Sequence, residues 1–172
     1  MDKKDILVSI CCITYNHEKF IRQALEGFVT QKTNFRYEVL VHDDASVDKT
    51  AQIIKEYEEK FPDIIKPIYQ KENQYRNGGR IVARFVFPKA QGKYIAFCEG
   101  DDFWTDSNKL QMQIDALEAN PDCSICLNKV ELTDIEGKRK GIFLPFQSRV
   151  QSGVIQSVDY LSFVAYPGAF QC

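Results

Sequence analysis

The amino-acid sequence predicts an α/β fold with a mainly parallel β-sheet flanked by helices. From residue 7 onward, apolar stretches of strand length alternate with stretches in which apolar residues recur every three or four positions. The first of these stretches, LVSICCIT, is unbroken and rich in strand-forming residues, which is typical of a strand buried on both faces. Alternation of this kind is the signature of an α/β fold.

The first three strands and two helices follow in order along the chain. The first strand, LVSICCIT, leads into a helix for which Asn16 is the expected N-cap. A second strand over residues 37–41 precedes a helix that we expect Ser46 to cap. Pro67 indicates that the third strand is short or lies at an edge of the sheet, because proline cannot donate a hydrogen bond to a neighbouring strand.

The remaining elements continue the alternation and then weaken. They are a helix over residues 81–87, a strand over 94–98, a helix over 108–119, a strand over 124–132 and a short helix over 159–164.

Composition excludes several classes of protein. The 172 residues carry 22 basic and 24 acidic side chains, and this balance disfavours a general nucleic-acid binder. No apolar run reaches the roughly 18 residues of a membrane span, and the charged start does not resemble a signal peptide. Four of the six cysteines fall in apolar, strand-like runs, which favours reduced thiols and a cytoplasmic location.

Three polar clusters each follow a predicted strand directly. They occupy residues 14–16, 42–46 and 99–102. Ligands of parallel sheets bind beyond the carboxyl ends of the strands, so we expect the three clusters to meet at one edge.

The acidic cluster contains the most specific chemistry. Glu99, Asp101 and Asp102 fall within four residues and repel one another unless a cation or hydrogen-bond donors compensate. Their hard oxygen ligands suit Mg²⁺ or Mn²⁺, which commonly bind one or two carboxylates together with substrate phosphates. The alternative is a solvated acidic turn followed by a helix that Asp106 caps.

The other two clusters offer groups that could hold a nucleotide. Asp43 and Asp44 could accept hydrogen bonds from a nucleobase or a ribose, although this segment also begins a helix. Tyr15 could stack on a base, or it could be a half-buried residue of a turn.

Further candidates lie outside the clusters. The loop of residues 76–80, with Arg84 beyond it, supplies cations that could face a diphosphate or be merely solvated. Trp104 could stack on a sugar or pack into the core.

The order and separation of these motifs resemble the N-terminal half of the inverting glycosyltransferases of family 2. The matching segments are VSICCITYNHEKFIRQALEGFVTQ, YEVLVHDDASVDKT and AQGKYIAFCEGDDFWTDSNKLQMQ. The resemblance implies a GT-A (Rossmann-like) fold and a nucleotide-diphospho-sugar donor, with a uridine nucleotide favoured.

The resemblance also implies roles for residues of the first two clusters. Tyr15 would contact the nucleobase, and Thr14 and Asn16 would shape its pocket. Glu18 stands where many members have an acidic residue that touches the nucleotide. The uracil edge would be bonded by Asp44, and Asp43 is the second candidate for that contact.

In the acidic cluster, the resemblance aligns Glu99 with the first position of the family's Asp-x-Asp motif. Asp101 or Asp102 would hold the metal that bridges the diphosphate, while the other reaches the ribose. Glu99 replaces the usual first Asp and lengthens its reach. Arg84 falls in a stretch that reads Ala-Arg-Asn in many relatives, and here Phe85 replaces the Asn.

The resemblance finally implies an organisation and a reaction. Residues 1–135 would form the nucleotide-sugar-binding domain, and 136–172 the incomplete start of the acceptor side, with the catalytic base beyond Cys172. The expected reaction is metal-dependent transfer of a sugar, with inversion, to a polysaccharide, a lipid-linked acceptor or another hydroxyl, and the protein could associate with the inner face of the membrane.

Two other functions remain open. One is a non-catalytic module that binds nucleotide-sugars. The other is a sugar nucleotidyltransferase, which the absence of a basic, glycine-rich loop after the first strand disfavours.

Overall fold

The computed structural model describes residues 5–128, 130–134 and 138–143. These residues form two compact units, divided between Met112 and Gln113. None of the helices in these ranges has the length and apolarity needed to cross a bilayer.

The first unit is built on a four-stranded parallel sheet. Its elements are β1 (Ile6–Thr14), α1 (Ile21–Val29), β2 (Arg36–Asp43), α2 (Thr50–Lys60), β3 (Ile65–Tyr69) and β4 (Tyr94–Phe97). The strand order is β3-β2-β1-β4, and every neighbouring pair is parallel. The predicted α/β fold is confirmed, and Pro67 lies in the edge strand β3, as expected.

The core of this unit lies between the sheet and the apolar face of α1. Ile21, Leu25 and Phe28 recur at helical spacing and are fully buried, as are Val8 and Ile10 of β1. Burial of each such side chain contributes about 1.5–3 kcal/mol to stability. The core therefore fixes α1 on the sheet and with it the loop that leads out of β1.

The cysteines of the sheet are also part of this interior. Cys11, Cys12 and Cys98 are buried free thiols. Burial raises the pKa of Cys11 to about 11 and that of Cys98 to about 12, so both remain protonated at neutral pH.

A buried polar network ties β1 and β2 to the turn before β4. Glu38 is fully buried and accepts hydrogen bonds from Ser9 Oγ at 2.6 Å and from the Gln91 N–H at 2.8 Å. The Gly92 N–H donates to the same Ser9 hydroxyl at 2.9 Å. A Cβ on Gly92 would lie 2.5 Å from Ser9 N, so this turn requires glycine.

The segment predicted as a helix over residues 81–87 is helical but irregular. A π-helical turn, Val82–Val86, runs into a single 3₁₀ turn, Phe87–Lys89. Pro88 has no N–H for a regular helical hydrogen bond, which accounts for the early end. Val86 is buried and packs with Cys11 and Leu40.

The predicted N-caps Asn16 and Ser46 are wrong. Helix α1 begins only at Ile21, and Asn16 adopts a left-handed backbone with φ of 57°. The Asn16 N–H donates to Ser46 Oγ at 2.9 Å, and Asn16 Oδ1 accepts from the Val47 N–H at 2.9 Å. Each side chain thus forms a hydrogen bond with the loop after the neighbouring strand and does not cap its own helix.

The last helix is α3 (Lys109–Ala119), and the division between the two units falls within it. It is followed by the antiparallel strand pair β5 (Val130–Thr133) and β6 (Arg139–Phe143). The predicted fifth strand over residues 124–132 is wrong over most of its length. Ile125 and Leu127 are about half exposed, at 55% and 46%, so this apolar stretch does not form a buried strand. The helix predicted over 159–164 lies outside the described residues.

Candidate functional site

A cleft of about 300 Å³ opens at the carboxyl edge of the parallel sheet. It is lined by Ile13, Thr14, Tyr15, His17, His42, Asp44, Asn73, Tyr75, Arg76, Ile81 and Glu99. Each of the three polar clusters contributes to this lining, so segments far apart in the sequence meet at one edge of the sheet.

The acidic turn is pressed against the end of β1. The Gly100 N–H donates to the Ile13 carbonyl at 2.9 Å. A Cβ on Gly100 would come within 2.6 Å of Thr14 Oγ1 and 3.1 Å of His17 Nδ1. Those two atoms are buried and lack a hydrogen-bond partner among the described residues. Glycine is therefore required here, where it packs against these two buried polar atoms.

The acidic turn concentrates negative charge. Partial desolvation, followed by the charges of Asp101 and Asp102, raises the pKa of the Glu99 carboxyl. Partial desolvation and the charge of Asp101 likewise raise the pKa of Asp102, and His17 opposes this shift. The His17 Nε2 atom lies 3.8 Å from Asp101 Oδ2. A cation at this turn would relieve the repulsion.

The donor set of the turn fits a hard divalent cation that shares its coordination with a ligand. No group of three His, Cys, Asp or Glu side chains within the described ranges is arranged to hold a metal by itself. Mg²⁺ commonly takes one or two carboxylates and completes its shell with water and substrate phosphates. Asp101 and Asp102 supply carboxylates of that kind.

Asp44 anchors a loop beside the cleft. Its side chain is buried, with Oδ1 accepting from the Gln74 N–H at 2.8 Å and Oδ2 from the Tyr75 N–H at 3.0 Å. The Asp44 backbone N–H donates to the Thr14 carbonyl at 3.0 Å. A carboxylate has about four acceptor positions, so Asp44 can hold this loop and still accept from a ligand.

Asp43 lies next to Asp44 but does not line the cleft. Its carboxylate accepts from the Ser46 hydroxyl and from the Ser46 N–H at 3.3 Å. Burial raises the pKa of Asp43, and the hydrogen bonds from Ser46 partly offset that shift. Its contacts are those of a residue that shapes the loop after β2.

Glu18 also lies outside the lining and bonds the loop after β2. Its N–H donates to Asp48 Oδ2 at 3.0 Å, and its Oε2 accepts from the Lys49 N–H at 3.1 Å. Together with the Asn16 contacts, these bonds form a reciprocal set, which we call the loop clasp, between residues 16–18 and 46–49.

Arg84 and Trp104 are not among the cleft-lining residues. The exposed Arg84 guanidinium lies over the Phe85 ring, 4.9 Å from its centroid. Trp104 is half-buried and packs edge-on against Phe28, with ring centroids 5.0 Å apart. Packing of Trp104 against the core residue Phe28 is thus observed, and its stacking on a sugar stays a prediction.

The sequence analysis placed His42 in the cluster after β2 and Arg76 in a candidate loop, but it did not indicate Asn73 or Tyr75 as lining residues. Burial lowers the pKa of His42, which is fully buried with Nε2 lying 3.0 Å from Gln70 Nε2. The neighbouring Asn77-Gly78-Gly79 marked a loop, but no local pattern indicated that Asp44 fastens it at the cleft.

Comparisons with known proteins agree with this arrangement. Residues 9–168 match the family described as Glycosyl transferase family 2. An uncharacterized Mycobacterium tuberculosis protein, Rv1520, is 39% identical over 83% of this chain and 40% of its own length. The Escherichia coli UDP-Glc:alpha-D-GlcNAc-diphosphoundecaprenol beta-1,3-glucosyltransferase WfgD is 33% identical over 67% of this chain and 43% of its own length.

A solved structure shares the fold. The crystal structure of Staphylococcus aureus TarS 1-349 in complex with UDP has a TM-score of 0.55 and 28% identity, over 67% of this chain and 33% of that one. The chain thus spans less than half the length of these relatives. With the family matched over almost all of its sequence and the cleft at the carboxyl edge of its parallel sheet, the chain belongs to glycosyltransferase family 2.

Proposed function

We propose that the protein transfers a sugar from a uridine-diphospho-sugar to a hydroxyl acceptor, with inversion at the anomeric carbon and with a divalent metal. The observation that carries this proposal is the meeting of Tyr15, Asp44 and Glu99 in one cleft at the ends of three parallel strands. The name of WfgD, which gives its donor as UDP-Glc, and the UDP bound to TarS support a uridine donor.

In this proposal, the β1 and β2 ends of the cleft bind the nucleoside. Tyr15 offers an aromatic ring for stacking, and Thr14 lies directly beside it. Asp44 accepts a hydrogen bond from the uracil edge with a lone pair that its loop contacts leave available. Asn16 contributes by shaping the backbone around Tyr15 rather than by lining the cleft.

The acidic turn holds the metal and faces the diphosphate. Asp101 and Asp102 would ligate Mg²⁺ or Mn²⁺, and Glu99 adds negative charge beside them. Bound there, the metal would neutralise charge on the leaving diphosphate. Gly100 allows the turn to sit close to β1 and so to the nucleoside end of the cleft.

The reaction is a direct displacement. The acceptor hydroxyl, deprotonated by a general base, attacks the anomeric carbon from the face opposite the diphosphate and inverts that centre. We place the donor site in residues 1–135 and the start of the acceptor side in 136–172. The acceptor is a saccharide or a lipid-linked sugar, reached at the inner face of the membrane.

Calorimetric titration with UDP, GDP, ADP and CDP, each with and without Mn²⁺, tests the donor site. We expect the tightest binding for UDP and a marked loss of affinity when the metal is omitted. Asp101→Ala and Asp102→Ala should abolish the metal dependence. Equal binding of all four nucleotides, or metal-independent UDP binding, contradicts the proposal.

A further inference from the structure

We infer that Glu18 and Asp48 are positioning residues, which lock the loop after β1 to the loop after β2 so that Tyr15 and Asp44 form one binding surface. This inference rests on the proposed function, since the surface in question is the nucleoside end of the donor site. It assigns Glu18 an indirect role in place of the direct contact with the nucleotide that the family resemblance implies.

The first argument is the reciprocity of the loop clasp. Asp48 accepts the N–H of Glu18 at 3.0 Å, while the Glu18 carboxylate accepts the N–H of Lys49 at 3.1 Å. Asp48 also accepts from the Thr50 N–H at 2.9 Å, which fixes its side chain at the start of α2. Each loop therefore satisfies backbone donors of the other, and neither can shift alone without breaking these bonds.

The second argument is the backbone beside the two cleft residues. Asn16, which follows Tyr15, has φ of 57°, and Ala45, which follows Asp44, has φ of 61°. Such left-handed conformations are uncommon for residues other than glycine and persist where the surroundings fix them. The clasp is that surrounding structure, because it bonds both loops directly after these positions.

The third argument is the direction of the Glu18 side chain. Glu18 is absent from the cleft lining, and its Oε2 already accepts the Lys49 N–H. Burial opposes ionisation of Asp48, but the hydrogen bonds from Thr50 and Glu18 outweigh it and lower the pKa of Asp48. Each of the two carboxylates thus accepts a hydrogen bond from a backbone N–H group of the other loop.

Binding of UDP with Mn²⁺ to single and double variants tests the inference. Glu18→Ala should weaken UDP binding about fivefold, the loss expected when a hydrogen bond of the clasp is removed. Glu18→Gln keeps an oxygen acceptor for the Lys49 N–H and should bind UDP within about twofold of the wild type. Asp48→Ala should add little to Glu18→Ala, because both substitutions open the same clasp.

The control is Glu56→Ala, which removes an exposed carboxylate that pairs with Arg22 at 2.6 Å and should leave UDP binding unchanged. Equal losses for Glu18→Gln and Glu18→Ala, additive losses in the double variant, or no loss at all would overturn the inference.

Hydrogen exchange separates this inference from the proposed function. In Glu18→Ala, but not in Glu18→Gln, exchange at the Lys49 amide should accelerate whether or not a nucleotide binds. If wild-type protein binds no nucleoside diphosphate, the proposed function fails, and the exchange data still decide whether the clasp exists. Unchanged exchange at Lys49 in Glu18→Ala shows that the clasp does not hold the loops.

Discussion

Gly100 lies against Thr14 so closely that a Cβ at residue 100 would approach the Thr14 hydroxyl to 2.6 Å. This contact joins the acidic turn after β4 to the end of β1, and thus the metal-binding and nucleoside-binding ends of the proposed site. The two ends can lie this close together because residue 100 has no side-chain methyl group.

Gly100→Ala should therefore damage both stability and binding. The methyl group must push the turn away from Thr14, at a cost of about 1–3 kcal/mol in the free energy of unfolding. Urea denaturation measures this loss, and titration with UDP and Mn²⁺ should show weaker binding than in the wild type. Gly141→Ala is the matched control, because a Cβ there meets no atom of the described part of the chain within 4 Å. Equal effects of the two substitutions would contradict the proposed contact.

Asp44→Ala should free the loop that Asp44 fastens. The Gln74 and Tyr75 N–H groups lose a charged acceptor, which costs about 2 kcal/mol of stability. We expect UDP affinity to fall at least about tenfold, and amide exchange at both positions to accelerate. Asp44→Asn retains one acceptor oxygen and should show intermediate exchange. Unchanged exchange in Asp44→Ala would show that the loop is held by other contacts.

Trp104→Ala distinguishes packing from sugar stacking. The indole packs against Phe28 and is half-buried, so its removal should cost about 2 kcal/mol in the free energy of unfolding. Because Trp104 does not line the cleft, the affinity for UDP and for UDP-sugars should fall by the same small factor. A loss confined to UDP-sugars would instead place the ring on the sugar.

The free energy of unfolding should depend on pH through the carboxyl groups of the acidic turn. The pKa values of Glu99 and Asp102 are raised in the folded protein, so the native state binds more protons than the unfolded state at pH values just above the ordinary carboxyl range. The contribution of these groups to stability is therefore most favourable at low pH and decreases as pH rises through the raised pKa values.

Asp102→Asn removes one of these charges. At neutral pH the metal-free variant should have a higher melting temperature than the wild type, since one source of repulsion is gone. Added Mn²⁺ should raise the melting temperature of the wild type and have a smaller effect on the variant. A metal-free variant that melts below the wild type would show that Asp102 stabilises the turn.

The sheet was predictable because its evidence is local. Each strand contains a short stretch rich in apolar residues, and Pro67 restricts β3 to an edge. The roles of Asn16 and Ser46 were not predictable in this way, because their partners lie about thirty residues away and no local pattern identifies them. The apolar stretch before β5 was misread for a related reason, since hydrophobicity indicates a strand only where another element covers it.

The candidate site was likewise predictable in part: its place in the fold was predictable, and the contacts of its side chains were not. Topology alone predicts that ligand-binding residues lie at the carboxyl ends of the strands. Tyr15, Asp44 and Glu99 do line one cleft there. Which carboxylates line the cleft and which bond the loops was not decided by residue type, as Asp43 and Glu18 show. That distinction depends on side-chain direction in loops with unusual backbone angles.

The buried carboxylate of Glu38 has a consequence for how such a protein can change. Its hydrogen-bonded partner Ser9 precedes Thr14 by five residues on β1, about 16 Å along the strand from the cleft. The buried hydrogen bonds of Glu38 and the ligand-binding cleft thus occupy separate regions of the same sheet. Mutations that change ligand specificity can accumulate in the loops at the cleft, while the hydrogen bonds around Glu38 keep the sheet intact.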